Sequence, residues 1–187
     1  MGLGFPHRFA GVNMIKEYCV ETSEQIAQVA TLATEIWNEY YTPIIGAAQV
    51  AYMVENFQST RAIAEQIRKG MQYYVVELDG QVVAYYGIME ELPPSGQGND
   101  MATLFLSKIY VLASARRKGL ASWMLARIAE KAQAQGYTRI ALTVNRGNAA
   151  SIAFYEHSGF VKAGELVQDI GNGFVMDDYR MVWKLIV

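Results

Sequence analysis

Apolar residues recur at helical spacing between Thr22 and Tyr40, at Ile26, Val29, Ala30, Ala33, Ile36, Trp37 and Tyr40. Residues three and four apart share a helix face, so this stretch predicts an amphipathic helix with one side for a core. Thr22 and Gln25 stand at capping-box spacing, which fixes its start. Val50, Met53, Val54 and Phe57 repeat the pattern, and Ser59 caps a further short helix carrying Ile63 and Ile67 that Gly70 ends. β-rich sequence follows in Tyr73 to Leu78 and Gln81 to Met89, and the Asp79-Gly80 pair between them predicts a type I′ hairpin. Pro93, Pro94, Gly96, Gly98 and Asn99 predict a loop, and Thr103 to Val111 another strand. A helix opens at Arg116 to Ala121, continues through Leu120, Met124, Leu125 and Ile128 to about Gln135, and stops at Gly136. Arg139 to Val144 reads as a buried strand and Asn148 to His157 as a short helix. Phe160 to Val167 and Phe174 to Leu185 read as strands on either side of the Gly171-Asn172-Gly173 turn.

Helices and strands alternate without repeat or linker through 187 residues, which predicts a single α/β domain over residues 14–187 behind a short leader, residues 1–13. A hydrophobic content of 52% is enough for a core, and 18% charged residues exclude the composition of a disordered chain. The net charge of −2 argues against a broad basic field, so nucleic acid is not an expected partner. Cys19 stands alone and no Cys/His cluster offers zinc ligands, so no metal is expected and a reducing, cytoplasmic setting fits. The longest apolar run, Val82 to Met89, falls far short of the roughly 18 residues of a membrane span. The leader lacks a signal peptide's apolar stretch, Pro6 stands where myristoylation requires Ser or Thr, and Met14 could equally be the natural start.

Arg116, Arg117 and Lys118 place three cations at a helix start, where the macrodipole is already positive, at roughly 0.3 to 1 kcal/mol per charge. A bound anion compensates such an arrangement, and Gly119 lets the backbone approach it. Arg116 to Ala121 therefore reads as a pyrophosphate cradle, with a solvated basic turn as the plainer alternative. No G-x-x-x-x-G-K-[ST] occurs and no G-x-G-x-x-G follows a strand, so nucleotide hydrolysis and Rossmann-type hydride transfer lack their anchor.

Leu106-Ser107-Lys108-Ile109-Tyr110-Val111, then Arg116-x-x-Gly119-x-Ala121, resembles motif A of the GNAT superfamily of acetyl-CoA-dependent N-acetyltransferases. Val144-Asn145-x-x-Asn148-Ala149-x-Ser151-Ile152-Ala153-Phe154-Tyr155-x-x-x-Gly159-Phe160 resembles their motif B. The two motifs span about a third of the chain, and the element order fits the family's fold from Met14 onward. The resemblance implies a mixed, largely antiparallel sheet whose central parallel strands splay apart, flanked by helices. It implies that Arg116, Arg117, Lys118, Gly119, Leu120 and Ala121 hold the CoA pyrophosphate. Ile109, Tyr110 and Val111 would then offer main-chain groups to the pantetheine arm, Asn148 and Ser151 would meet it from the next helix, and Asn145 would close the opening. Asn148, Ser151 and Tyr155 stand at helical spacing, which by itself lets them face one groove. Asp178-Tyr179-Arg180-Met181 is similar to bacterial spermidine/spermine acetyltransferase-like members, a softer resemblance that makes a polyamine the first acceptor considered.

Moving an acetyl group from a thioester to an amine requires a neutral nitrogen, a donor for the developing oxyanion and a proton for the departing thiolate. The resemblance offers the Val111 N–H as oxyanion donor and Tyr155 as the acid. The base is not legible: many relatives carry Glu two residues before the motif A Ile, where this chain has Ser107. Glu35, Glu39, Glu90 and Glu91 are carboxylates that could serve the acceptor side, each also readable as a surface charge. His7 and His157 have no neighbouring partner for nucleophilic catalysis, and Cys19 reads as a small apolar residue. Tyr40, Tyr41, Tyr73, Tyr74, Tyr85 and Tyr86 could line a pocket for a cationic amine, although strand propensity explains most of them. The acceptor is expected to be a small-molecule or peptide amine, and edge-strand pairing near the C-terminus would allow a homodimer. A second reading is a non-catalytic acyl-CoA-binding sensor or interaction module, suggested by Ser107.

Overall fold

The computed structural model describes residues 14–91 and 102–185. The leader and the loop predicted around Pro93, Pro94, Gly96, Gly98 and Asn99 lie outside the described residues. Strand β1 (Ile15–Cys19) is followed by helices α1 (Ser23–Tyr40), α2 (Thr42–Ile45) and α3 (Ala47–Met53), a π-helical turn over Val54–Gln58, and α4 (Thr60–Arg68). Then come β2 (Gln72–Leu78), β3 (Gln81–Glu91), β4 (Thr103–Val111), α5 (Leu120–Ala134), β5 (Arg139–Asn145), α6 (Ala149–His157), β6 (Val161–Gly171) and β7 (Phe174–Lys184). The capping box forms as its spacing predicts, with the Thr22 hydroxyl accepting from the Gln25 N–H and the Gln25 side chain accepting from the Thr22 N–H. Asp79 and Gly80 have φ of +53° and +82°, the two left-handed residues of a type I′ turn.

The seven strands run in the order β1-β2-β3-β4-β5-β7-β6, and only β4 and β5 are parallel. Strand alternation divides the apolar residues between two faces. Tyr73, Val75 and Tyr85 pack under α1, α3 and α4 with Ile36, Trp37, Val50, Met53 and Ile63. Val76, Ala84, Tyr86, Leu104 and Leu142 pack under α5 and α6 with Leu120, Met124, Ile128 and Ile152. Each fully buried aliphatic or aromatic side chain contributes about 1.5–3 kcal/mol, so the helices are fixed to both faces by burial.

The parallel pair opens the sheet at one end. Its register joins Thr103 to Arg139, Leu104 to Ile140 and Phe105 to Ala141, and stops there, although β4 runs on to Val111 and β5 to Asn145. Strand β5 stays paired with β7 as far as Asn145↔Asp178 and β4 with β3 as far as Val111↔Ala84, so each keeps its outer neighbour as the pair opens, and the irregularity lies in β4. Its pairing with β3 shifts at the same height: Gly87 opposes Lys108 and Ile88 opposes Leu106, leaving Ser107 as an extra residue. A bulge bends its strand and increases its twist, which accounts for the divergence. A Cβ on Gly87 would stand 3.2 Å from the Met71 sulfur and 3.6 Å from the Lys108 Cβ, a tight fit on the crowded side of the bulge.

Candidate active site

Two cavities flank the splay and share Tyr41, Ile109, Tyr110 and Ser151 in their walls. The first, of about 500 Å³, lies between the end of β4 and the start of α5. Helix α5 begins after Gly119 at φ +80° with no side-chain cap, and Arg117 also has a positive φ of +60°. The backbone N–H groups of Arg117 to Ser122 make no hydrogen bond among the described residues. A run of free donors at a helix N-terminus is a site for phosphate oxygens. Space around Gly119 is open, so conformation rather than crowding favours glycine there.

The cationic side chains do less than the sequence implies. Arg116 Nε donates to the Val111 carbonyl at 3.0 Å, its Nη1 lies 3.5 Å from the Glu39 carboxylate, and its guanidinium sits 4.8 Å from the Tyr40 ring centre. It braces α1 against the end of β4. Arg117 lines the cavity, whereas Lys118 is exposed and outside its wall. Gly119, Leu120 and Ala121 line the cavity, although the Leu120 side chain is anchored in the core under α5. Backbone dipoles therefore dominate the cradle. The Leu112 N–H donates to the Val83 carbonyl at 2.8 Å, so by antiparallel alternation the Val111 N–H and C=O point to the opposite edge, into the splay.

The second cavity, of about 550 Å³, lies on the α1–α4 side and takes walls from α1, the π turn, β4, β5, α6 and the β6–β7 hairpin. Asn145 and Asn148 line this cavity and not the first. Asn145 Oδ1 accepts from the Gly147 N–H at 2.9 Å. Asn148 caps α6: its Oδ1 accepts from the Ser151 N–H at 3.2 Å and from the Tyr40 hydroxyl at 2.9 Å. Ser151 lies where the cavities meet, and Tyr155 faces the second. Burial, followed by the neighbouring Tyr41 and Tyr40, pushes the Tyr155 phenol well above its usual range, so it holds its proton.

None of Glu35, Glu39, Glu90 and Glu91 lines either cavity. Glu39 is paired with Arg116, Glu91 accepts two bonds from Arg180 at 2.7 and 2.6 Å, and Glu35 and Glu90 are exposed. The tyrosines divide similarly: Tyr41 stacks on Trp37 at 4.4 Å beside both cavities, Tyr40 lines the first, and Tyr73, Tyr74, Tyr85 and Tyr86 do not reach either. His157 ends α6 outside both, Cys19 belongs to β1, and His7 lies outside the described residues.

Of the three charged residues in the second cavity's wall, Asp169 is exposed, and the two buried ones are residues that no motif singles out for a role of their own. Asp178 of β7 is 4% exposed and has no ion-pair partner among the described residues. Burial raises its carboxyl to about 6, a hydrogen bond from Thr143 opposing and Asp177 adding to the shift. Lys108 of β4 is 7% exposed, its Nζ 3.4 Å from the Phe57 carbonyl, and burial lowers its ammonium to about 8. Their signal in the sequence is a charge inside a β-rich run. No metal-ligand cluster occurs among the described residues, and no helix among them is long and apolar enough to cross a membrane.

Comparison with known proteins fits this geometry. The chain is 37% identical over 91 residues to the uncharacterized N-acetyltransferase YjgM of Escherichia coli, which covers 49% of this chain and 52% of that protein. It is 31% identical over 142 residues to the L-methionine sulfoximine/L-methionine sulfone acetyltransferase of Pseudomonas aeruginosa, covering 75% of this chain and 73% of that one. The chain thus spans about half the length of the first relative. The fold is shared with the PaiA N-acetyltransferase of Thermoplasma acidophilum, solved in complex with coenzyme A, at TM-score 0.70 and 16% identity, covering 92% of this chain and 99% of that one. Residues 30–160, which include the splay, the uncapped α5 and the α6 groove, match the model of the acetyltransferase (GNAT) family, and the chain belongs to that family.

Proposed function

We propose that the protein transfers the acetyl group of acetyl-CoA directly to a primary amine within a ternary complex. The observation that carries this reading is the splay of β4 from β5, which joins a cavity walled by free helix N–H groups to one containing a buried carboxylate. The residues fit the donor. The N–H groups of Arg117 to Ser122 would receive its pyrophosphate, and the open edge of β4 at Ile109 would pair with its amide arm, leaving the Val111 N–H for the acyl oxygen. When bound, the donor supplies an activated acyl carbon and a thiolate leaving group.

An alkyl amine of pKa about 10.4 is overwhelmingly protonated near neutrality, so the ammonium gives up one proton to solvent before its lone pair is free to attack. The nitrogen lone pair attacks the acyl carbon, and the Val111 N–H stabilises the oxygen as it gains charge. Asp178, ionised above a pKa of about 6, takes the proton that becomes acidic as the C–N bond forms. This assigns the base to β7, in place of the Glu that Ser107 replaces on β4. The C–S bond then breaks with its electron pair on sulfur, and Tyr155 donates the proton that completes the thiol. A polyamine acceptor rests on the slight acidic balance of the chain and on the Asp178-Tyr179-Arg180-Met181 tetrapeptide, in which Arg180 is held by Glu91.

The test is thiol release from acetyl-CoA by the purified protein against a panel of primary amines. Release that requires an amine, with intersecting double-reciprocal plots, is the expected result. Parallel plots or an isolable acetyl-protein would overturn direct transfer, and no release with any amine would overturn the activity.

A further inference from the structure

Four polar or charged residues are buried among the described residues, Gln58, Lys108, Asn148 and Asp178, and all four line the second cavity. Two have partners within the fold. Gln58 Oε1 accepts from the Tyr85 hydroxyl at 3.2 Å, and Asn148 caps α6. Lys108 and Asp178 have no counter-ion among the described residues, and they do not pair with each other. Among the described residues Lys108 is the one buried Lys or Arg; of the half-buried ones, Arg116, Arg127, Lys131, Arg146 and Arg180 each hold a carboxylate and Arg139 holds none. A buried charge without a partner is strongly unfavourable, and the Phe57 carbonyl at 3.4 Å and the Tyr73 ring at 6.0 Å replace little of the lost hydration. The burial that lowers the Lys108 ammonium to about 8 expresses that deficit.

Resting on the acetyl-transfer reading above, we propose that the acceptor is an apolar α-amino acid: its carboxylate pairs with Lys108 and its amine meets Asp178. A zwitterion carries both missing counter-charges, and one α-amino acid meets both once the flexible Lys108 stem turns from the Phe57 carbonyl toward Asp178. A polyamine would bring a second cation toward Lys108, and a peptide N-terminus has no carboxylate on the carbon bearing its amine. Met53, Phe57, Leu166 and Met176 line the same cavity and give an aliphatic or thioether side chain apolar surface to pack on.

The experiment compares L-leucine, L-leucinamide and 3-methylbutylamine as acceptors for the wild-type protein with acetyl-CoA, and as ligands in thermal denaturation with CoA present. L-Leucine is expected to exceed both analogues in kcat/KM by about 10- to 100-fold, and to be the only one of the three that raises Tm. In Lys108→Met, whose side chain suits the apolar surroundings, the leucine-to-leucinamide ratio is expected to fall towards one. Efficient acetylation of the amide or the decarboxylated amine by wild type, or an unchanged ratio in Lys108→Met, overturns the amino-acid acceptor and leaves acetyl transfer standing. Stabilisation by leucine that depends on Lys108, without turnover of any amine, supports the amino-acid site and overturns the transfer. Neither turnover nor stabilisation overturns both. The wild-type comparison stands even if the variant fails to fold.

Discussion

Replacing Asp178 by Asn should make the protein more stable and less active, with a pH dependence that identifies the cause. The carboxyl titrates near 6 in the fold against 3.8 for an unperturbed Asp, because burial disfavours its charge. Protonation is thus favoured by folding. The carboxyl contributes fully below about pH 3.8, and that contribution is lost as pH rises through 6. A displacement of about two pK units, at about 1.36 kcal/mol each, sets an upper figure of ~3 kcal/mol for what the ionised group removes from stability at pH 8. Asn keeps the shape and never ionises. At about 2–4 °C per kcal/mol for a chain of this size, Asp178→Asn should melt above wild type at pH 8 by up to ~6–12 °C, the difference closing toward pH 4. Thermal unfolding of both proteins across that range measures it directly. A constant Tm difference at every pH, or an Asn variant less stable at pH 8, would refute the reasoning. In the same variant kcat/KM should fall about 100- to 10,000-fold and lose its inflection near 6.

Tyr155→Phe removes the proposed proton donor and no charge, so kcat should fall about 100-fold or more with CoA affinity unchanged; steady-state turnover beside calorimetry checks this, and undiminished turnover removes the phenol from the chemistry. Gly119→Ala meets no neighbour within 4 Å but forces a Cβ onto a φ of +80°, at about 1–2 kcal/mol. Its Tm should drop by ~2–8 °C and its CoA affinity should weaken, because the first turn of α5 carries the proposed phosphate donors. An unchanged melting curve and Kd would place the strain elsewhere.

Long periodic elements are legible in the sequence because their pattern is local. Helix α1 with its capping box, the Asp79-Gly80 hairpin and β4 lie within a residue or so of where spacing puts them, whereas α5 begins at Leu120, after the Arg116–Gly119 turn that the sequence places at its opening. Strand β1 carries no such signal: its five residues pair only with β2 at the sheet edge, too short a run to show alternation. The pattern through Val50 and Phe57 has one helical spacing where the chain forms α3 and then a π turn, since a one-residue widening preserves the apolar face. The α5 turn is readable from Arg116-x-x-Gly119, yet its character changes in three dimensions, with the Arg116 side chain turned back to Val111 and Glu39. Asp178 and Lys108 are illegible for a different reason. Neither stands out by position, and each becomes chemically distinctive only because the π turn, the β4 bulge and the β6–β7 hairpin close around both.

The proposed acetyl transfer requires the cleft opened between β4 and β5 to receive the donor, with its pyrophosphate at the uncapped start of α5. A crystal structure of the protein with CoA tests this most directly. Phosphate oxygens are expected within about 3 Å of main-chain nitrogens between Arg117 and Ser122, with the thiol end reaching the junction of the two cavities beside Val111 and Tyr155. Density for CoA elsewhere, with those N–H groups bound only to water, would contradict it.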